Sequence, residues 1–248
     1  MTASLLTATL AADAQVGAIV THHPAAASVF RQHRVDFCCN GRQTLATACA
    51  DLSLDPDKLL AQVIEAEARE EDSGDARDWT EASLADLCTH IVATHHAYLR
   101  TEFPCLTLYI EKIAGVHGDE HPELAELGSV FGALYAELEN HMAKEEQILF
   151  PMITRMETAV GLNLTMPASH CGSVQNPIGQ MEHEHEAAGG ALRKMSELTD
   201  GYTVPEGGCA TFRETYARLH RFEGDLFQHI HLENNILHPR ATALEASL

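Results

Sequence analysis

The chain has 248 residues, and with 36 acidic against 16 basic residues its formal net charge at pH 7 is −20. This charge disfavours nucleic acid and anionic membranes as partners. No apolar run approaches the ~20 residues of a membrane span, and the first residues lack the basic start of a secretory signal. Seven cysteines without regular spacing fit reduced thiols, so the composition predicts a cytoplasmic protein.

The first part of the chain, residues 1–75, is predicted to form a small helical domain. Asp55 followed by Pro56 is typical of an N-cap with proline at the first helical position. Upstream, the sequence DFCCNGRQTL contains an Asn-Gly turn signal. This signal predicts that Cys38 and Cys39 lie on a short exposed loop.

The basic residues that flank this cysteine pair in the sequence suggest that its thiols are reactive. Arg34 and Arg42 lie nearby in sequence, and neighbouring cations favour the thiolate, which is the reactive and metal-binding form. Burial of the pair beneath the turn is the alternative, since cysteine is among the most buried residue types. The charged stretch 67–79 follows and is predicted to link this domain to a second one, residues 80–244.

Two copies of one motif dominate the second domain. HMAKEEQILFP begins at His141, and HIHLENNILHP begins at His229. Each copy pairs its histidine with a glutamate four residues later, Glu145 and Glu233. Residues four apart lie on the same face of a helix, so one imidazole and one carboxylate can bind the same metal ion.

Apolar residues precede both pairs at spacings of three and four, the pattern of the inward face of a bundle helix. In the first copy this face runs through His141 and Glu145 and on to Ile148. Burial of an ionised carboxylate is costly without a cation beside it. A solvated glutamate is the ordinary alternative, and the occurrence of the pattern in both helices disfavours it.

Two further helices supply one histidine each. Around residue 95 two apolar faces compete, one through Ile91 and His95 and the other through His96 and Leu99. The second face stays apolar to the end of the helix, which places His96 inside and His95 at the margin. In a later helix, His185 continues an apolar face in the same way.

Helical phase therefore selects one histidine from each of four helices, plus two glutamates, as metal ligands. Four imidazoles and two bridging carboxylates would complete two metal ions. Such ligands without thiolate are typical of iron, and paired metals inside a four-helix bundle are most often di-iron. Zinc and manganese remain alternatives, and a heme pocket would not explain the glutamates. The predicted ligands are His96, His141, Glu145, His185, His229 and Glu233.

Three other polar residues keep undecided roles. His117 falls in a predicted Gly-rich connection, Glu184 flanks an inward histidine, and His231 points away from the inward face of its helix.

HMAKEEQILFP, MEHEHEAAG and HIHLENNILHP resemble the hemerythrin-type HHE motifs, and DFCCNGRQTL resembles the N-terminal signature of the Repair of Iron Centers family. With AGVHGDEHPEL, the resemblance covers about residues 15–240. It implies an all-α fold, with a small N-terminal helical domain and a hemerythrin-like antiparallel four-helix bundle. It also implies a non-heme, carboxylate-bridged di-iron centre on the six ligands above and a functional role for Cys38 and Cys39.

The same resemblance implies a function. Members of the family are induced under nitrosative or oxidative stress and repair damaged iron–sulfur proteins, which would be the partners. Iron donation to the damaged clusters is the favoured step; reduction of nitric oxide at the di-iron centre, and binding or sensing of nitric oxide or oxygen, are the alternatives. The cysteine domain favours repair, because a simple oxygen carrier has no use for it. Whether the chain is an enzyme, and whether it forms a homodimer, is left open.

Overall fold

The computed structural model describes residues 10–70, 77–164 and 171–248. Within these ranges the regular structure is helical, apart from one isolated β-bridge between Gln15 and Thr44. The all-α prediction is thus confirmed. The chain divides into two compact units: Met1–Ser83 with Ile230–Arg240, and Leu84–His229 with Ala241–Leu248.

The first unit contains short helices in its N-terminal part. The Asp55 carboxylate accepts hydrogen bonds from the Asp57 and Lys58 amides at 3.0 and 3.3 Å, which confirms the predicted N-cap. The last of these helices reaches Glu70, so the start of the predicted linker is helical, and residues 71–76 lie outside the described ranges. A division of the chain between residues 75 and 80 stays a prediction. The helices are α1 (Val16–His22), α2 (Ala26–Gln32), α3 (Leu45–Asp51) and α4 (Pro56–Glu70).

Long helical runs follow in the rest of the chain. Three of the runs consist of two α-helices joined by a π-helical turn without a break: Val92–His96, Glu145–Leu149 and Leu232–Leu237. The α-helices are α5 (Leu84–Ile91), α6 (Ala97–His117), α7 (Glu123–Lys144), α8 (Phe150–Leu162), α9 (Gln175–Leu198), α10 (Ala210–His231) and α11 (His238–Glu245). In the described ranges no helix has the length and apolarity needed to cross a membrane.

Aromatic rings from three helices form the centre of the second unit. The Phe222 ring centroid lies 5.7 Å from that of Phe103 and 5.6 Å from that of Phe131. All three side chains are at most 1% exposed. Offset or tilted aromatic pairs at such separations add to the stabilisation that burial itself provides. This packing holds α6, α7 and α10 together about two to three turns away from the predicted histidine ligands of the same helical runs.

The first π turn changes which residues of its helix face inward. Leu87 and Ile91 are buried before the turn, whereas Leu99 and Phe103 are buried after it. The two apolar faces that compete in the sequence are therefore both used, on opposite sides of the turn. A π turn closes i→i+5 hydrogen bonds and holds one residue more than an α-helical turn. For that reason His95, predicted at the margin, is only 4% exposed.

A second π turn has the same effect in the α7–α8 run. Glu145 is fully buried as predicted, but Ile148 is 37% exposed, and Leu149 takes the inward position. The prediction for Ile148 is wrong because a regular period of 3.6 residues does not continue across the wide turn.

Candidate metal centre

The six predicted ligands are all buried, with exposed fractions of 0 to 1%. Their donor atoms form two groups, and within each group the atoms lie within 4.8 Å of one another. Glu145 and Glu233 belong to both groups, whereas each histidine belongs to one. The groups are His96, Glu145, His229 and Glu233, and His141, Glu145, His185 and Glu233.

Glu145 spans the two groups. Its Oε2 lies 3.3 Å from His96 Nε2, and its Oε1 lies 3.2 Å from His141 Nε2. Within each group the two imidazoles also converge: His96 and His229 bring their Nε2 atoms to 3.3 Å, and His141 and His185 bring theirs to 3.1 Å. A carboxylate with one oxygen directed at each pair of imidazoles has the arrangement of a bridging ligand. The donor set of nitrogen and oxygen atoms, without sulfur, fits iron.

Carboxylates outside the two groups accept hydrogen bonds from two of the candidate ligand histidines. His96 donates from Nδ1 to Glu146 at 2.7 Å, and His141 donates from Nδ1 to Glu184 at 2.9 Å. A proton held on Nδ1 leaves the Nε2 lone pair for a metal, and such carboxylate partners are usual for metal-ligating histidines. Glu184, whose role the sequence leaves undecided, is thus the hydrogen-bond partner of a candidate ligand, His141.

The charge of Glu184 is well stabilised. Its hydrogen bond with His141, assisted by hydrogen bonds from Lys144 and Gln180, lowers its pKa to about 2, although partial burial opposes the shift. The carboxylate is therefore ionised at neutral pH and can keep accepting the His141 proton.

His95 packs beside the candidate metal centre. Its ring lies parallel to that of His229, with 5.6 Å between centroids and 6° between planes. Its Nδ1 lies 2.9 Å from an oxygen of Asp225. His95 is absent from both donor groups, so the structure separates it from His96 as the sequence does. Its ring packs against the candidate ligand His229 instead. Sequence phase could not reveal this contact, since it depends on the π turn.

The cysteine pair belongs to the first unit. Cys39 is half-buried, but Cys38 is only 1% exposed, so the predicted exposed loop is wrong for Cys38. Burial is the largest cause that raises the pKa of the Cys38 thiol well above its ordinary value, and the hydrogen bond and charge of Cys39 and the charge of Asp36 act in the same direction. The expected influence of Arg34 and Arg42 does not outweigh these effects.

Side chains from residues 231–235 pack against this turn. Asn234 donates to the Cys38 carbonyl and Asn235 to the Phe37 carbonyl, both at 3.1 Å. The His231 ring packs edge-on against Phe37 with 5.7 Å between centroids. Burial lowers the pKa of His231 to about 4, so it is neutral at pH 7. His231 therefore packs within the first unit, which answers the question the sequence leaves open.

Known protein families match both the region of the donor groups and the region of the cysteine pair. A family model described as "Hemerythrin HHE cation binding domain" matches residues 87–241, and one described as "Domain of Unknown function (DUF542)" matches residues 12–67. Proteins named "Iron-sulfur cluster repair protein YtfE" from Pectobacterium carotovorum and Pectobacterium atrosepticum are each 41% identical over 229 residues, which is 92% of this chain and 96% of theirs. One of the same name from Yersinia pseudotuberculosis is 41% identical over 226 residues, 91% of this chain and 95% of the relative.

The chain belongs to the hemerythrin HHE family of iron-sulfur cluster repair proteins.

This membership confirms the resemblance found in the sequence motifs. The part of the chain that matches the HHE domain includes all six candidate ligands. The part that matches the N-terminal domain includes both cysteines of the pair. The HHE domain is a cation-binding domain by description, in agreement with the two donor groups.

The sequence did not predict one contact between two side chains of this protein, His117 and Cys209. His117 is the last residue of α6, not a loop residue, and its Nε2 lies 3.3 Å from the Cys209 sulfur. The Phe212 amide also donates to that sulfur at 3.4 Å. These hydrogen bonds, that of His117 first, lower the pKa of the exposed Cys209 thiol to about 7. The two residues are 92 positions apart, so no local pattern could indicate the contact.

We expect Cys209 to react with iodoacetamide half-maximally near pH 7, because its thiolate forms above its lowered pKa. Replacement of His117 by alanine should move this midpoint upward, towards that of an ordinary thiol. Peptide mass mapping across a pH series measures both. His121→Ala is a matched control, since both imidazoles lie 5.4 Å from the Phe212 ring but His121 hydrogen-bonds Glu123 instead. Equal midpoints in the two variants would contradict the assignment.

Proposed function

We propose that this protein holds two non-heme iron ions in a carboxylate-bridged centre and donates iron to damaged iron–sulfur clusters. The observation that carries the proposal is the pair of donor groups that share Glu145 and Glu233. The relatives named for iron-sulfur cluster repair, which match over nearly their whole length, support the repair role. The partners are then damaged iron–sulfur proteins, and we place their encounter in the cytoplasm.

The proposed ligands are the six residues selected by helical phase. When bound, the iron pair supplies ligand exchange and one-electron redox chemistry. The chain contributes orientation: Glu146 and Glu184 hold the protons of His96 and His141 on Nδ1, so that both Nε2 atoms stay available. Helix packing around the groups excludes water from the carboxylates, which strengthens their interaction with a cation.

Iron donation requires a route, and one opening reaches the second donor group. A cavity of about 310 Å³ is lined by His141, Glu137 and Glu184, among other residues. Lys144, which forms an ion pair with Glu184, also lines it. Carboxylates along the wall offer oxygen ligands to a departing ferrous ion, and their negative charge favours a cation over an anion in the cavity.

A single sample can separate iron donation from the alternatives. Iron-loaded protein is mixed under anaerobic conditions with an apo cluster protein and, in parallel, with nitric oxide. We expect iron to reach the apo protein and little nitrous oxide to form. Glu137→Gln should slow the transfer without lowering the initial iron content, because Glu137 lines the cavity and lies outside the donor groups. Rapid nitrous oxide formation without iron transfer would replace donation by nitric oxide reduction, and reversible gas binding alone would indicate a sensor.

A further inference from the structure

The turn that carries the cysteine pair brings three donor atoms together. Adjacent residues of an extended chain point in opposite directions, yet the sulfur atoms of Cys38 and Cys39 lie 3.5 Å apart. Asp36 Oδ1 lies 3.5 Å from the Cys38 sulfur. The three residues thus form a compact cluster of two thiols and one carboxylate, with all donor atoms within 4.8 Å of one another.

We propose that Asp36, Cys38 and Cys39 form a separate mononuclear binding site for a divalent first-row metal ion such as ferrous iron. This site is distinct from the two donor groups of histidines and glutamates and shares no residue with them. Two sulfur ligands and one oxygen ligand suit a borderline-soft ion, since thiolates select against magnesium and calcium.

The distances agree with tetrahedral coordination. An ion ~2.3 Å from each of two sulfurs would see sulfurs 3.5 Å apart at an angle of roughly 100°. An ion ~2.3 Å from a sulfur and ~2.1 Å from a carboxylate oxygen leaves those ligands ~3.6 Å apart at the tetrahedral angle. The separation of Asp36 Oδ1 from the Cys38 sulfur, 3.5 Å, is close to that value. The two separations that involve the Cys38 sulfur therefore suit a single ion, and the third pair of donor atoms lies within 4.8 Å.

The cluster is also held rigidly. Asp36 Oδ1 accepts hydrogen bonds from the Cys39 amide at 2.9 Å and the Asn40 amide at 3.3 Å, which fixes the carboxylate inside the turn. From the outside, Asn235 donates to the Phe37 carbonyl and approaches Gly41 so closely that a Cβ there would lie 2.1 Å from its Oδ1. A metal site binds more tightly when its ligands need not be ordered on binding.

The state of the thiols sets a pH dependence. The thiolate is the form of cysteine that binds a metal, so an arriving ion displaces a proton from each thiol that becomes its ligand. Affinity is then expected to fall as the pH falls, by on the order of tenfold per pH unit for each displaced thiol proton. Cys39 and Asp36 are half-buried, so a metal ion can reach the site from solvent. The three residues leave a fourth coordination position open for another ligand.

The site is tested by anaerobic titration with Co²⁺ on the full-length protein, in which two equivalents of iron fill the donor groups and any further bound metal has been removed. Thiolate-to-cobalt charge-transfer absorption reports cysteine ligands alone, because histidine and carboxylate ligands do not produce it. We expect one equivalent to generate these bands, and the double variant Cys38→Ser/Cys39→Ser to abolish them. Asp36→Asn keeps the oxygen that accepts the Cys39 amide and removes the charge, and should weaken binding by about tenfold or more.

Two control variants separate this site from other thiols. Cys49→Ser changes a buried cysteine of the same unit, and Cys209→Ser removes the exposed thiol that contacts His117; both should leave the bands unchanged. Bands that persist in the double variant, or that never appear at one equivalent, would overturn the proposal. If this site receives iron during its donation, that role rests on the proposed function. The cobalt titration needs no repair activity. Failure of the metal site and failure of the proposed function can therefore be distinguished.

Discussion

Replacement of Glu145 by alanine is expected to remove both of the iron ions that we propose for the two donor groups. Glu145 is the carboxylate whose two oxygens lie 3.2 to 3.3 Å from imidazole nitrogens of both donor groups, so its loss takes a ligand from each ion. The iron-free variant should also melt at lower temperature than the loaded parent, because a ligand that binds only the folded state stabilises it. Metal determination on the purified variant and a thermal melt measure both effects.

Two neighbouring glutamates serve as graded controls. Glu139 is exposed and should tolerate alanine without loss of iron. Glu146 accepts the Nδ1 proton of His96 and pairs with Arg100, so Glu146→Ala should weaken iron binding by about 10- to 100-fold without removing a direct ligand. One ion retained by the Glu145 variant, or equal losses in the Glu145 and Glu139 variants, would refute the shared bridging role.

Replacement of Cys38 and Cys39 by serine should reduce cluster repair to background while the iron content of the donor groups stays near normal. The histidine and glutamate groups contain no thiolate, so they do not depend on this pair. The turn itself should persist, since the amide donors of Asn234 and Asn235 reach backbone carbonyls rather than the sulfurs. Recovery of activity of an iron–sulfur enzyme after exposure to nitric oxide measures repair.

Cys49→Ser is the control for this experiment, because Cys49 is a buried thiol of the same unit that belongs to no donor group. It should repair clusters as the parent does. If the double variant does so too, the pair only packs beneath its turn. The function then resides in the histidine and glutamate groups alone, and nitric oxide reduction or gas binding becomes the better explanation.

The periodicity of apolar residues predicts much of this structure. It gives the long helices, and it selects six polar residues that the structure buries and gathers into two groups. This works because a buried charge in an otherwise apolar stripe is costly without a partner, so its position in the stripe is itself informative.

Features that depend on distant contacts or on irregular turns could not be predicted. The π turns displace Ile148 and bring His95 inward, and neither change has a signal in a regular helical period. The Cys38 carbonyl accepts a hydrogen bond from Asn234, 196 positions away, and Cys209 lies beside His117, 92 positions away. A local sequence pattern does not predict which helix ends will lie in contact.

The π turns also make the length of each helical run as important as its composition. Each residue of an α-helix adds about 100° of rotation. A π turn takes up one extra residue, so it keeps the apolar faces before and after it in line. Deletion of Ala93 from the first turn would leave Ile91 and Phe103 11 positions apart, within about 20° of one face of a regular α-helix, so both would still reach the apolar interior. Deletion of one residue from a regular stretch such as Ala97–His117 would instead rotate everything beyond it by about 100°. Deletions within a π turn should therefore be tolerated better than deletions elsewhere in the same helical run.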